Sequence, residues 1–253
     1  MARQKSIIKL EGEIGDISFY KTQDGYLARE KTSHSGERIK TDPAFARVRE
    51  NMSEFARAGQ AAKVVSSALR SLIVNAKAYR MTSRLTKEFS RIIRTDAVNL
   101  RGQRTATDGE VGLLNGFNFN NKATLGSTFY PLIAPAIDRA AGTATIAVQE
   151  FSPTKMVIAP EGATHFRLIA GMARVNFETG DYALGQTASE QIQVNSVANV
   201  QAQLVSNLAG ITGGDTLLLA FGIEYSQLVN GQQYPLNNGS FNALAIVAVN
   251  REG

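Results

Sequence analysis

Leu217-Leu218-Leu219-Ala220-Phe221 and Ala243-Leu244-Ala245-Ile246-Val247-Ala248-Val249 are apolar at every position. A strand that alternates leaves one face to water, whereas these two must lie inside a sheet or under a second layer. Asn230-Gly231 and Asn238-Gly239 provide turns between them. Working upstream, Ala144-Ile146-Val148, His165 to Phe177, Ile192-Val194 and Val200-Ala202-Leu204 repeat with a period of two, the mark of strands. Their spacing predicts an antiparallel β-sandwich.

Further upstream, Arg101-Gly102 to Asn121 is polar and rich in Gly and Asn, which makes it the expected boundary between domains at 1–104 and 105–253. Before it the period lengthens. Phe45, Val48, Met52, Phe55, Ala58, Ala62, Val65, Leu69 and Leu72 recur every three or four residues, placing them on one side of a helix. Thr41-Asp42-Pro43 reads as its start, with a capping oxygen and a proline in the first turn. Leu85, Phe89, Ile92 and Ile93 form a second stripe out of phase with the first, so a break is expected near Asn75–Ser83, giving a helical hairpin. At the amino terminus, Ile14, Ile17 and Phe19 lead through Thr22-Gln23-Asp24-Gly25 to Tyr26 and Leu27, a short β-hairpin signal. The expected class is α+β.

Charge divides the chain. Of 27 Lys/Arg and 22 Asp/Glu, residues 1–104 hold 21 and 11, and residues 105–253 hold 6 and 11. Seven basic residues and no acid lie between Phe55 and Lys87, while Glu190, Asp215 and Glu224 are the only charges from Tyr182 to Asn250. Lys63, Arg70, Lys77, Arg84 and Arg91 are spaced by seven, and Arg80, Lys87, Arg94 and Arg101 repeat that interval. On continuous helices these rows form a cationic face. Solvated faces usually mix signs, because like charges three or four apart cost a helix a few tenths of a kcal/mol. The face therefore has three readings: plain solvated surface, contact with an acidic subunit surface, or phosphate binding to nucleic acid. Stacking on bases needs exposed rings, and the stripe carries little aromatic content beyond Tyr79 and Phe89.

Catalytic and ligand patterns are sparse. The chain has no cysteine, which removes disulfides, thiolate nucleophiles and thiolate metal ligands. His34 and His165 are far apart and at no metal-ligand spacing; a polar turn is expected for the first and a strand for the second. Ser152-Pro153-Thr154-Lys155 fits Ser-x-x-Lys, but proline at the second position speaks against the helix that would join Ser152 to Lys155. Gly210-Ile211-Thr212-Gly213-Gly214-Asp215 lacks the lysine of a P-loop and reads as a hairpin loop. A carbohydrate-binding role is disfavoured by the absence of tryptophan. No catalytic residue, metal, cofactor or small-molecule ligand is expected. Met1–Leu10 lacks a signal-peptide core, and no apolar run approaches the roughly 18 residues that span a bilayer. A cytoplasmic protein is expected.

Gly12-x-Ile14-Gly15-Asp16-Ile17-Ser18-Phe19-Tyr20-Lys21, Asp24-Gly25-Tyr26-Leu27-Ala28-Arg29-Glu30-Lys31 and Arg38-Ile39-Lys40-Thr41-Asp42-Pro43-Ala44-Phe45 with Arg49-Glu50-Asn51 resemble an uncharacterised family of Bacteroidota proteins. That resemblance implies an amino-terminal hairpin, a basic helical middle and a β-rich end, and implies no activity. The almost uncharged part of the carboxyl-terminal half, Tyr182 to Asn250, lacks the repulsion that keeps copies apart. The expected function is thus a non-enzymatic structural protein that self-assembles into a ring, tube or filament. The alternative is a nucleic-acid packaging or coating protein using Lys63, Arg70, Lys77, Arg80, Arg84, Lys87, Arg91 and Arg94.

Overall fold

The computed structural model describes residues 1–31, 36–76 and 80–251; His34 and Lys77 lie outside the described residues. The fold is α+β, with antiparallel sheets throughout. It divides into compact units Met1–Asn51 and Met52–Gly253, whereas composition placed a division at 104/105.

The first unit holds a four-stranded sheet ordered β1-β4-β3-β2: β1 (Ala2–Arg3), β2 (Gly12–Ile14), β3 (Ile17–Thr22) and β4 (Gly25–Glu30). Thr22 pairs with Gly25, so the expected hairpin is present as one part of this larger sheet. Helix α1 (Gly36–Thr41) follows, and Asp42 then caps a single turn at Pro43–Phe45 by accepting from the Ala44 amide at 2.9 Å. Helix α2 (Ala46–Ala68) starts here.

In the second unit the central elements are β7 (His165–Val175) and β11 (Thr216–Val229), paired from Thr216↔Val175 to Ser226↔His165. Strands β8 (Tyr182–Ala188) and β9 (Ile192–Gln193) pair with successive parts of β7; β13 (Ala243–Arg251) and β12 (Gln232–Pro235) do the same along β11. Asn230-Gly231, with φ 50° and 80°, makes the two-residue turn from β11 to β12, the left-handed pair that matches strand twist. A second sheet is ordered β10-β6-β5, from β5 (Ile133–Asp138), β6 (Thr143–Phe151) and β10 (Val200–Asn207). Pro135 sits in the edge strand β5, where a missing N–H is tolerated.

Alternation along β7 and β11 sends side chains to two cores. Phe166, Leu168, Met172, Leu217, Leu219, Phe221 and Ile223 join Ile146, Val148 and Leu204 of the second sheet. Ile169, Ala173, Val175, Leu218 and Ala220 join the helices instead: Ala58, Ala62 and Val65 of α2, Leu69 at the junction, and Leu72 of α3 (Arg70–Ile73), with Leu85, Phe89 and Ile92 of α4 (Met81–Thr95). The sandwich expectation is met in part. Two antiparallel sheets do enclose one core, but the larger sheet's other face is covered by helices, so this unit has three layers. The helices end at Ile73 and resume at Met81, across the segment where the two stripes fall out of phase. The 101–121 connection is itself packed: Leu114 and Phe119 are buried, and the Gly116 and Phe119 amides donate to the Ile246 and Leu244 carbonyls at 2.8 Å.

Layer spacing depends on small residues. A Cβ at Gly185 of β8 would lie 2.0 Å from the Asn207 carbonyl oxygen of β10, and one at Gly171 would lie 2.7 Å from Leu72 Cδ1. Gly185→Ala is expected to destabilise by about 1–3 kcal/mol, lowering Tm by several degrees. Gly59→Ala, inside α2 where a Cβ meets nothing within 4 Å, is expected to stabilise by about 0.5–1 kcal/mol. Urea titration of the two variants checks both signs.

Candidate functional site

The cationic residues singled out by charge are dispersed by the helix break. Lys63 is exposed on α2 and Arg70 opens α3. Arg80 is exposed and takes a left-handed backbone, φ 56°, immediately before α4. The seven-residue row therefore does not run along one continuous rod. Arg84, Lys87, Arg91 and Arg94 do share one side of α4, because steps of three and four residues return to nearly the same angle. Leu85, Phe89, Ile92 and Ile93 take another side and are buried.

Arg84 is not a surface cation. Its Nη1 donates to the Asn118 carbonyl at 2.7 Å, Nη2 donates to the Phe119 carbonyl, and the guanidinium lies 5.3 Å from the centre of the Phe117 ring. Burial pushes its pKa below the usual arginine value. The side chain fastens α4 to the packed connection. Arg57 acts similarly, donating to the Gly102 carbonyl at 2.6 Å while Glu54 accepts from the Gly102 amide at 2.8 Å. Arg91 pairs with Glu88 at 2.6 Å. Among the described residues, Lys63, Arg70, Lys87 and Arg94 make no ion pair.

Just past α4, Asp96 is 2% exposed. Its Oδ1 accepts from the amides of Val98 and Asn99 at 2.8 and 3.0 Å, and its Oδ2 from Asn99 Nδ2 and the Thr105 amide at 2.9 and 2.8 Å. Burial alone would raise the carboxyl, but these bonds outweigh it and hold the pKa at about 2. Asp96 fixes the reversal that returns the chain towards the sheets.

A surface that the periodicity assigned to the interior is the early part of α2. Val48, Met52 and Phe55 are 41%, 60% and 65% exposed, although they continue the stripe buried from Ala58 onward. The distinguishing signal is size. The buried part of the stripe is alanine-rich, which lets the helix approach the sheet closely, and the exposed part is bulky. None of the described residues before Ala58 is buried.

The short motifs resolve simply. Pro153 does not prevent a helix: it occupies the first turn of one at Pro153–Met156, where its missing N–H is harmless. Ser152 Oγ bonds Thr154 Oγ1 at 3.1 Å. The Gly210–Asp215 loop is no hairpin loop, since β10 and β11 belong to different sheets. It crosses between layers, with Asp215 accepting from the Thr212 amide at 2.7 Å. His165 opens β7 and shares a 2.9 Å bond with Thr164. No helix of the described residues is long and apolar enough to cross a membrane. Scans against protein-family models, curated proteins and solved structures find no match to this chain.

Arg84→Ala is expected to cost about 2–3 kcal/mol, because it strands two carbonyl acceptors and removes the stem packed on Phe117. Lys87→Ala and Arg94→Ala should stay within about 0.5 kcal/mol. Denaturant unfolding of the three variants separates anchor from surface charge. The Asp96 carboxyl has its pKa lowered from 3.8 to about 2. Its contribution is thus complete above pH ~4 and disappears as pH falls towards ~2. Asp96→Asn should be less stable at neutral pH and should lose less stability than the parent over that interval, as followed by circular dichroism.

Proposed function

We propose that the chain is a non-enzymatic structural subunit that associates with copies of itself through the exposed face of α2 and the amino-terminal sheet. The observation that carries this reading is the amino-terminal unit's lack of any buried residue among those described. Ile7, Ile8, Ile14 and Ile17 are 101%, 73%, 62% and 45% exposed; Val48 of the same unit is also exposed, as are Met52 and Phe55 at the start of the second. A small sheet needs an apolar face covered to hold together. Burying residues of this size contributes about 1.5–3 kcal/mol each, which association with a second chain can supply.

Charge favours a second copy as that chain. Among the described residues, Lys63, Arg70, Lys87 and Arg94 make no ion pair, and residues 105–253 carry five more acidic than basic residues. One copy can present to another both the basic and the acidic member of a contact, as a head-to-tail arrangement of rings, tubes or filaments requires. The stretch from Tyr182 to Asn250, with only Glu190, Asp215 and Glu224 charged, adds little repulsion to such a contact.

Light scattering of nuclease-treated protein at micromolar concentration should give a discrete high mass. Met52→Glu with Phe55→Glu should shift it towards the monomer without lowering the stability of the second unit, since both residues are exposed. A monomeric mass at low and moderate salt overturns the reading. Mass that vanishes on nuclease treatment and returns with added nucleic acid would assign the cationic residues to phosphate binding instead.

A further inference from the structure

The geometry points to a binding site for a neutral oligosaccharide in a cleft of about 600 Å³ between the β11–β12 hairpin and the segment after α3. The cleft is lined about equally by polar and apolar surface and, among the described residues, is electrically balanced. Its charged lining residues are Arg167 and Glu224, and each neutralises the other. Arg167 Nε and Nη2 donate to Glu224 Oε2 at 2.7 and 2.6 Å, and Asn75 Nδ2 donates to Oε1 at 2.8 Å. Glu224 is 9% exposed, so the pair is held in place by its surroundings. Among the described residues, an anionic ligand would meet no unpaired cation here, and a cationic ligand no unpaired carboxylate.

What the cleft does offer is hydrogen-bonding capacity of both kinds beside an aromatic ring. Ser226 Oγ lies 2.8 Å from Gln233 Oε1 and 3.2 Å from Gln191 Oε1. A hydroxyl carries one hydrogen, so Ser226 donates to one of these amides at a time, and among the described residues neither amide nitrogen has another partner. The floor is rigid: Asn242, 3% exposed, accepts from the Tyr225 amide at 2.9 Å and donates to the Asn75 carbonyl at 2.7 Å. Tyr234 is 55% exposed on β12 and lines the same cleft. Hydroxyl-rich rings with apolar C–H faces suit this combination, the hydroxyls meeting amides and the faces meeting tyrosine. The chain lacks tryptophan, and Tyr234 supplies the amphipathic ring in its place.

Isothermal titration and saturation-transfer NMR with a panel of neutral gluco-, manno- and galacto-oligosaccharides test this, with sialylated and sulfated glycans as the anionic arm. At least one neutral sugar is expected to bind saturably. Tyr234→Ala and Gln233→Ala are each expected to weaken it tenfold or more. Both residues are exposed, and circular dichroism of the variants confirms that the fold is retained. Three results overturn the proposal: no neutral sugar binding up to about 10 mM, binding confined to anionic glycans, or binding that both variants leave unchanged.

Discussion

The antiparallel pair β7–β11 is apolar on both faces, and that single constraint sets the rest of the second unit. Register from Val175↔Thr216 to His165↔Ser226 puts Leu168, Met172, Leu217 and Phe221 on one face and Ile169, Ala173, Leu218 and Ala220 on the other. Each fully buried Leu, Ile or Phe contributes about 1.5–3 kcal/mol, so a bare face would forfeit most of what offsets chain entropy. One face takes β5, β6 and β10, and the other takes the helices. Glycines at 171 and 185 occur where a Cβ would strike the covering layer.

For β11 this constraint was legible in the sequence, because an apolar run too short for a membrane must be buried on both faces, whereas β7 read as alternating although both of its faces are buried. The strands β6, β7 and β10 were also legible, through alternation. Ile133–Asp138 and Tyr182–Ala188 were not. Pro135 argues against a strand unless the strand is known to be an edge, and Gly185 contributes no side chain to any pattern. The third layer was hidden for a different reason: a stripe such as Ala58, Ala62 and Val65 says that a helix face is buried and not what buries it. The polar 101–121 segment read as a linker because its anchors are few. Leu114 and Phe119 supply burial, and Asn120 is satisfied by the carbonyls of Ser240 and Asn242 at 2.9 Å.

Charge patterns were harder still to read, since the acceptors that engage Arg57 and Arg84 are backbone carbonyls. A carbonyl has no letter of its own in a sequence, so counting acids overstates how many cations await a partner. Arginine is suited to this use: its planar fork donates to two neighbouring carbonyls at once and its face stacks on a ring, as Arg84 does with Asn118, Phe119 and Phe117. The cationic face is therefore narrower than its spacing implied, and lysines contribute half of the unpaired set Lys63, Arg70, Lys87 and Arg94.

The two units differ in how completely they bury themselves, and on the proposed reading that difference is the functional division of the chain. The second unit buries both faces of its larger sheet internally, so substitutions at its surface should leave it folded. The first unit exposes isoleucines on its strands and leads into a helix whose opening turns expose Val48, Met52 and Phe55. Bulky side chains on an exposed helix face are a liability for a solitary protein, and here they occur at i, i+4 and i+7, the spacing by which a helix presents one edge to a partner. On that reading the chain folds through its buried cores and assembles through the exposed start of α2, which spans the boundary at Asn51–Met52. The cleft beside Tyr234 belongs wholly to the self-sufficient region, so whatever it binds would be displayed by an assembly without having to be part of the contacts that form it.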